Sequence, residues 1–282
     1  MTVTAIDTLK ILFITDFTDT ADNAFDYAHQ LFHECYGVET EYSIAHAFVP
    51  VHPYTHEPHL HALKNDQLEK ELKKQLEKSA ASVRQISGKK VPSYFLPGTL
   101  TEVVQKVVDQ EEPDLIVIGN EEKTSFQRMT LGSHTMQIAD LKCCPVLAVP
   151  PAAKFENFEH IVLASDFEPL NIEHSSLMLL KSLAKGSEEK LKVVHVYQDE
   201  KEASEAAMKN TAIHRYLSNI PHQHFPIVSD EVFEAIAQFV GEHKPGLLAA
   251  IPRDRGFFEG LFHTSVTEKL VYHTQIPILI LT

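Results

Sequence analysis

The chain carries one strand-like sequence twice, first as Lys10-Ile-Leu-Phe-Ile-Thr-Asp-Phe17 and again as His160-Ile-Val-Leu-Ala-Ser-Asp-Phe167. Each copy is an apolar run that ends in Asp-Phe, and such runs are typical of strands buried on both faces of a parallel sheet. A second matching pair closes the two halves, Pro145-Val-Leu-Ala-Val149 and Pro277-Ile-Leu-Ile-Leu281. Because the repeat is longer than the roughly 20–50 residues of a solenoid unit, each copy is predicted to be a whole domain.

Strand-like and helix-like segments alternate between those ends in both halves. Helix signals in the first half include the capping box Thr99-Leu-Thr-Glu102 and a leucine series at Leu68, Leu72 and Leu76. This alternation predicts an α/β protein with a parallel sheet and helices on both of its faces. The predicted organisation is domain 1 at residues 1–150, a linker at 151–156 and domain 2 at 157–282.

Composition and net charge indicate which partners and which cellular compartment to expect. The formal net charge of −14 argues against nucleic acid or an anionic membrane as the main partner, since both would repel the chain. No apolar stretch approaches the length of a membrane span, and the N-terminus lacks the pattern of a signal peptide. The three cysteines do not make a disulfide framework. These features predict a cytoplasmic protein.

Ligands of parallel α/β sheets bind beyond the carboxyl ends of strands, where the strand order reverses. Three places in each half meet that rule: the end of the first strand, the end of the second strand and the loop after the fourth strand. The residues at the first two places are Asp16, Asp166, His46-Ala47 and His195-Val196.

Several short motifs add up to a family resemblance. They are Thr15-Asp-Phe-Thr18, Asp114-Leu-Ile-Val-Ile-Gly119, Leu131-Gly-Ser133 and Cys144-Pro-Val-Leu147. In combination they resemble the universal stress protein family in its tandem two-domain form. The resemblance implies two doubly wound domains, each with five parallel strands in the order 3-2-1-4-5. It also implies that the halves pair through their fifth strands as an intramolecular pseudo-dimer, and it leaves higher homo-oligomers and an unknown protein partner open.

Many members of that family bind ATP or AMP through a loop with glycines at three set positions followed by Ser or Thr. Gly119 and Gly132-Ser133 fit this loop, whereas the middle glycine is replaced by Glu122. When Pro277 is aligned with Pro145, the second half places Ile251, Asp254 and Thr264 at the glycine positions and Ser265 at the serine. The resemblance therefore implies an adenine nucleotide in the first half and a degenerate second half.

The nucleotide contacts implied for the first half are Asp16, Ala47, Gly119, Gly132, Ser133 and His134. No metal is predicted beyond Mg²⁺ associated with the nucleotide. No nucleophile can be paired with a base, so the protein is predicted not to be an enzyme, or at most to be a slow ATPase. Glu122 and the second-half losses support an alternative, a stress-response interaction or scaffold module that binds no nucleotide.

For several of the candidate residues, a purely structural role explains the residue type as well as a ligand-binding, metal-binding or redox role does. Asp16 and Asp166 equally fit carboxylates that anchor the turn after a strand, and His46 and His195 are favoured as half-buried strand residues with one hydrogen bond. A solvated loop is favoured over a metal site for the histidines at positions 52, 56, 59 and 61, because their spacing fits no closed zinc pattern. Inert thiols are favoured over a redox switch for Cys143 and Cys144, because Lys142 is the only evident cationic neighbour.

Overall fold

Ten strands join in one sheet that runs through both halves of the chain. The computed structural model describes residues 8–50, 58–120, 134–156, 159–165, 174–184, 190–201, 203–204, 217, 220–251, 270 and 275–282. The first-half strands are β1 (Thr8–Ile14), β2 (Glu39–Phe48), β3 (Ser93–Pro97), β4 (Leu115–Gly119) and β5 (Val146–Val149). The second-half strands are β6 (Ile161–Ala164), β7 (Leu191–Tyr197), β8 (Gln223–Val228), β9 (Leu247–Ala250) and β10 (Ile278–Ile280).

The strand order is β3-β2-β1-β4-β5-β10-β9-β6-β7-β8. Each half therefore has the order 3-2-1-4-5, and the predicted fold is confirmed. All neighbouring strands are parallel except β5 and β10, which are antiparallel, with Leu147 opposite Leu279. An antiparallel contact between two equivalent strands relates the halves by a pseudo-two-fold rotation.

Residues 200–201, 203–204 and 270 are helical, and six further helices among the described residues have defined bounds. They are α1 (Asp19–His29), α2 (Pro58–Ser87), α3 (Leu100–Glu111), α4 (His134–Ala139), α5 (His174–Leu183) and α6 (Val232–His243), and α1 continues into a π-helical segment at Gln30–Cys35. His59 and His61 lie in α2, so their assignment to a loop was wrong; Pro58 occupies the first helical position, where a missing N–H costs nothing. His52 and His56 lie outside the described residues.

Side-chain caps fix the starts of two first-half helices. The Thr18 hydroxyl accepts a hydrogen bond from the Ala21 N–H at 3.3 Å and begins α1. The Thr99 hydroxyl accepts from the Glu102 N–H, and the Glu102 carboxylate accepts from the Thr99 N–H at 2.8 Å, which completes the predicted capping box of α3.

The halves share both layers of the hydrophobic core. Successive residues of β1 point to opposite faces of the sheet, so Phe13 joins one core cluster and Leu12 the other. Each cluster also contains second-half residues, among them Leu163 on the first face and Val162 on the second. Burial on each face therefore depends on both halves.

Residues near the linker also have tertiary partners. The Asn23 side chain on α1 donates hydrogen bonds to the carbonyl oxygens of Pro150 at 3.2 Å and Ala153 at 2.9 Å. These bonds hold the connection against α1. The exact domain limits at 1–150, 151–156 and 157–282 stay a prediction. Within the described ranges, no helix combines the length and apolar character that crossing a membrane requires.

Candidate functional site

The topological switch point of the first half lies at β1, because β2 flanks it on one side and β4 on the other. A crevice beyond the carboxyl ends of β1 and β4 is the expected place for a ligand. Four of the six predicted contacts are described there: Asp16 follows β1, Ala47 lies near the end of β2, Gly119 ends β4 and His134 begins α4. Gly132 and Ser133, together with Glu122, lie outside the described residues.

Asp16 is exposed and shapes the turn between β1 and α1. Its Oδ1 accepts hydrogen bonds from the Thr18 N–H at 3.1 Å and from the Thr18 hydroxyl at 2.6 Å. The turn also places Phe17 in the left-handed region, with φ of 66°. Asp16 therefore has the turn-anchoring role, and its exposed carboxylate lies just beyond the carboxyl end of β1.

Gly119 is required by the close approach of α1. A Cβ atom at this position would lie 2.8 Å from the carbonyl oxygen of Thr20 and 2.9 Å from both the carbonyl carbon and Cγ2 of that residue. Contacts under about 3 Å force backbone or side chain to move, which destabilises a packed region. The missing side chain at Gly119 thus makes room for the first turn of α1.

His46 is fixed by a backbone hydrogen bond and by aromatic neighbours. Its Nδ1 lies 2.8 Å from the carbonyl oxygen of Thr15, and since a carbonyl only accepts, Nδ1 donates. The neutral ring then presents Nε2 as an acceptor. The ring centroid of His46 lies 4.4 Å from that of Phe17 and 5.8 Å from that of Phe95. Ala47, the next residue, is partly buried and pairs with Leu96 of β3.

The second half repeats the histidine contact. His195 Nδ1 lies 2.5 Å from the carbonyl oxygen of Ser165, which is the counterpart of Thr15. The predicted hydrogen-bonded strand histidine is therefore present in both halves. The contact is present in both halves, although only the first half is predicted to bind nucleotide. We therefore infer that it stabilises the junction of the first two strands and does not serve a ligand alone.

Asn120 and Thr135, neither of which was predicted, form a buried polar pair after β4. The Asn120 N–H donates to the Val149 carbonyl at 2.8 Å, and the Thr135 hydroxyl donates to Asn120 Oδ1 at 3.4 Å. Both side chains are buried, whereas His134 is exposed. The buried hydrogen bond between these two side chains links the end of β4 to the start of α4. The only signal in the sequence was a polar residue immediately after Gly119.

The first turn of α1 carries the acidic residues Asp19 and Asp22. Burial, followed by the charge of Asp26 and then that of Asp19, raises the pKa of Asp22, while Lys78 from α2 opposes the shift. Burial also raises the pKa of Asp26. An anionic ligand at the crevice would therefore meet a negative field from α1. Among the described residues, no group of three or more His, Cys, Asp or Glu side chains could hold a metal ion.

The two halves differ at the end of the fourth strand. The counterpart of Gly119 is Ile251, whose side chain is partly buried and packs against the core. The bare backbone of the first half is thus replaced by a large side chain. The other second-half counterparts, namely Asp166, Asp254, Thr264 and Ser265, lie outside the described residues.

Solved structures share this architecture over nearly their whole length. A universal stress protein from Archaeoglobus fulgidus DSM 4304 is 17% identical, with 96% of this chain and 97% of that chain covered and a TM-score of 0.67. A putative universal stress protein from Pseudomonas aeruginosa UCBPP-PA14 is 12% identical, with 99% and 94% covered and a TM-score of 0.55. A functionally unknown protein from Pseudomonas aeruginosa PAO1 is 13% identical, with 99% and 93% covered and a TM-score of 0.54.

At these identities the structural likeness establishes the fold. No curated protein gives a significant sequence match. The sequence profile described as "Universal stress protein family" matches residues 8–150, which is just over half of the chain and includes β1 to β5. The chain therefore belongs to the universal stress protein family.

Proposed function

We propose that this protein is a cytoplasmic stress-response protein that binds ATP or AMP in the crevice beyond β1 and β4, with the second half as a structural partner. The observation that carries the proposal is the difference between Gly119 and Ile251. Gly119 carries no side chain and lets the first turn of α1 pack closely against the end of β4, while its counterpart Ile251 places a large side chain there. Bare backbone is what lets N–H groups approach phosphate oxygens.

The contacts around the crevice suit the parts of an adenine nucleotide. The ring pair of His46, near the end of β2, and Phe17, after β1, offers a stacking surface for a base, while Ala47 packs on the other face of the sheet. Gly132-Ser133 immediately precede α4, and the N-terminal N–H groups of a helix favour a phosphate. Mg²⁺ bound to ATP would offset the acidic field of α1. The proposed activity is binding, without enzymatic turnover.

Calorimetric titration of the full-length chain with ATP and with AMP tests the proposal. We expect one nucleotide per chain. Asp16→Asn and Ser133→Ala are each expected to weaken binding about tenfold, because a hydrogen bond is worth about 1–1.5 kcal/mol. The matched substitutions Asp166→Asn and Ser265→Ala should leave affinity unchanged. Two nucleotides per chain, or losses confined to the second-half variants, would contradict the proposal.

Glu122→Gly tests the proposal with a substitution that should strengthen binding. Removing this carboxylate from the middle glycine position is expected to strengthen ATP binding, since like charges a few Å apart repel by on the order of a kcal/mol. AMP, which carries fewer phosphates, should gain less. Equal or weaker ATP binding by this variant would place the phosphates elsewhere.

A second candidate is an interaction module of the same fold that binds no nucleotide. The observation in its favour is that Asp16 Oδ1 already bonds both polar groups of Thr18. Under this candidate, ATP and AMP give no heat at high micromolar concentration, and the supernatant of the denatured protein carries no nucleotide absorbance. Either signal at one nucleotide per chain would exclude it.

A further inference from the structure

The surface at which α2 ends and β3 begins is basic. An open concavity of about 760 Å³ lies there, and its lining includes Arg84, Lys89 and Lys90. Residues 78–101 contain no acidic residue, although the chain as a whole has a formal net charge of −14. We call Arg84, Lys89 and Lys90 the basic cluster.

Two members of the basic cluster form ion pairs that are exposed to water. Lys89 Nζ lies 2.7 Å from Glu39 Oε1, and Arg84 Nη2 lies 3.7 Å from Glu77 Oε2. All four of these side chains are at least 36% exposed, so water and salt screen both pairs. Pairs of this kind can exchange their carboxylates for those of another molecule.

The opposite end of the sheet is acidic. Asp230 and Glu231 follow β8, Glu234 lies in the first turn of α6, and all three residues are exposed. Residues 228–242 contain no Lys or Arg. We call Asp230, Glu231 and Glu234 the acidic cluster.

Each cluster has an exposed apolar side chain beside it. Ile86, in the last turn of α2, is 49% exposed, and Val228, which ends β8, is 42% exposed. Within the part of the chain that the structure describes, the other large hydrophobic side chains that are exposed are Val49 and Leu68. An apolar centre with charged groups around it is the composition of a protein–protein interface.

Strand directions place both clusters along one side of the sheet. The two edge strands are β3 and β8. Because β5 and β10 are antiparallel and all other neighbours are parallel, the strands of the two halves run in opposite directions. The basic cluster precedes β3 and the acidic cluster follows or lies just beyond β8, so both lie on the same side. A second copy placed beyond β8 therefore brings its basic cluster to the acidic cluster of the first copy.

We propose that copies of this chain associate head to tail, with the basic cluster of one copy against the acidic cluster of the next. Contacts between two identical ends are disfavoured, because they bring like charges together. A heterologous contact of this kind closes into a ring or continues as an open filament, depending on the rotation between copies. The association does not depend on nucleotide binding.

The contact uses side chains rather than a continued backbone ladder. Pro226 lies within β8 and Pro97 ends β3, and proline has no N–H to give to a ladder. Prolines in edge strands protect a sheet against edge-to-edge pairing. Charged side chains around Ile86 and Val228 therefore supply the attraction, and the association should be weak and sensitive to salt.

Sedimentation velocity of the full-length chain over about 1–200 µM tests the proposal. In about 0.1 M NaCl, the mean mass should rise with concentration. In about 1 M NaCl the apparent dissociation constant should be at least about tenfold larger, because the Debye length falls from about 10 Å to about 3 Å. A chain that stays monomeric at every concentration in the low-salt buffer, or an association that salt leaves unchanged, would overturn the proposal.

Charge reversal at either end gives a sharper test. Arg84→Glu with Lys90→Glu should weaken association at least about tenfold, and so should Asp230→Lys with Glu231→Lys. Equimolar mixing of the two variants should restore association, because the first is then acidic at both ends and the second is basic at both ends. A chain with all four substitutions should also associate, since its clusters are exchanged. Association that survives either reversal alone, or a mixture that stays monomeric, would overturn the proposal.

Lys70→Glu with Lys74→Glu is the matched control. Both lysines are exposed on α2, and the pair of substitutions changes the net charge by the same amount. Lys74 lies about 15 Å from Arg84 along the helix, outside the basic cluster. This control should associate as the unchanged chain does. Equal loss in the control and in Arg84→Glu with Lys90→Glu would assign the effect to net charge and overturn the proposal. Circular dichroism checks that every variant is folded.

Discussion

The hydroxyl group of Tyr27, on α1 of the first half, donates a hydrogen bond to the carbonyl oxygen of Gly246 in the second half at 3.1 Å. Tyr36 makes an equivalent contact with the Leu183 carbonyl at 2.7 Å. The Tyr27 ring is buried and meets Phe155 edge to face, with ring centroids 5.7 Å apart. The hydrogen bonds of Tyr27 and Tyr36 therefore join the halves in addition to the pairing of β5 with β10.

Tyr27→Phe should lower the free energy of unfolding by about 1 kcal/mol, because it leaves the ring in place and removes one hydrogen bond. Urea denaturation at neutral pH measures the change. Tyr36→Phe should cost a similar amount, and the double variant should show the sum of the two losses, because the bonds have different partners. An unchanged midpoint for Tyr27→Phe would mean that this bond contributes nothing to the pairing of the halves.

Gly119→Ala should destabilise the protein by about 1–3 kcal/mol, because the added methyl group would meet the Thr20 backbone. Gly241→Ala is the matched control. Gly241 lies in α6, and a methyl group added there would meet no neighbouring atom within 4 Å, so the exchange should stabilise the protein by about 0.5–1 kcal/mol through helix propensity. Thermal unfolding of both variants measures the difference. Equal effects would show that space beside Thr20 is not limiting.

Thr99→Ala should lower stability by about 0.5–2 kcal/mol, because it removes the side-chain oxygen that begins the capping box of α3. Thr99→Ser keeps that oxygen and should cost much less. Chemical denaturation distinguishes the two variants. If both variants lose the same amount, the methyl group of Thr99 rather than the cap is responsible.

Protonation of His160 should lower the free energy of unfolding at mildly acidic pH. Burial, then the charge of Lys192 and, less strongly, that of His243, lowers its pKa from 6.5, while a backbone bond at His243 and the charge of Glu159 oppose the shift. Among the described residues, its buried Nε2 has no hydrogen-bond partner. Folding therefore favours the neutral ring. This contribution is complete above the unfolded pKa of about 6.5 and is lost as pH falls through the lower folded value.

Urea midpoints at pH 7.5 and pH 5.5 measure that loss. The difference between the two midpoints should shrink in His160→Gln, which does not titrate, and should shrink partly in Lys192→Met, which removes the largest contribution from a neighbouring charge. A difference that is unchanged in His160→Gln would assign the pH dependence to other groups.

Much of the fold could be predicted from the sequence because buried parallel strands read as short apolar runs. The apolar runs predict strands at Val146–Val149 and Ile161–Ala164, and β5 and β6 have these bounds; the family resemblance supplied the strand order. The apolar run predicts a first strand that begins at Ile11, whereas β1 begins at Thr8. The difference arises because polar Thr8 and Lys10, which are exposed, interrupt the run around buried Leu9. His59 and His61 were misplaced because a helix that starts at proline among histidines lacks the usual apolar spacing.

The candidate site, like the fold, could be predicted only in part. Position at the end of a predicted strand marked Asp16 and His46, and the family resemblance marked Gly119. The sequence could not say that the absence of a side chain at Gly119 makes room for Thr20, because those residues are far apart in the chain and meet only when α1 packs on β4. It also gave no sign of the bond between Asn120 and Thr135.

By itself the sequence determined the repeated α/β pattern and the family, because both depend on local runs of residues and on short motifs. Tertiary structure alone decided that Tyr27 reaches Gly246 and that the first turn of α1 packs against Gly119. Those contacts depend on distances between segments, which are fixed only when both faces of the sheet are packed.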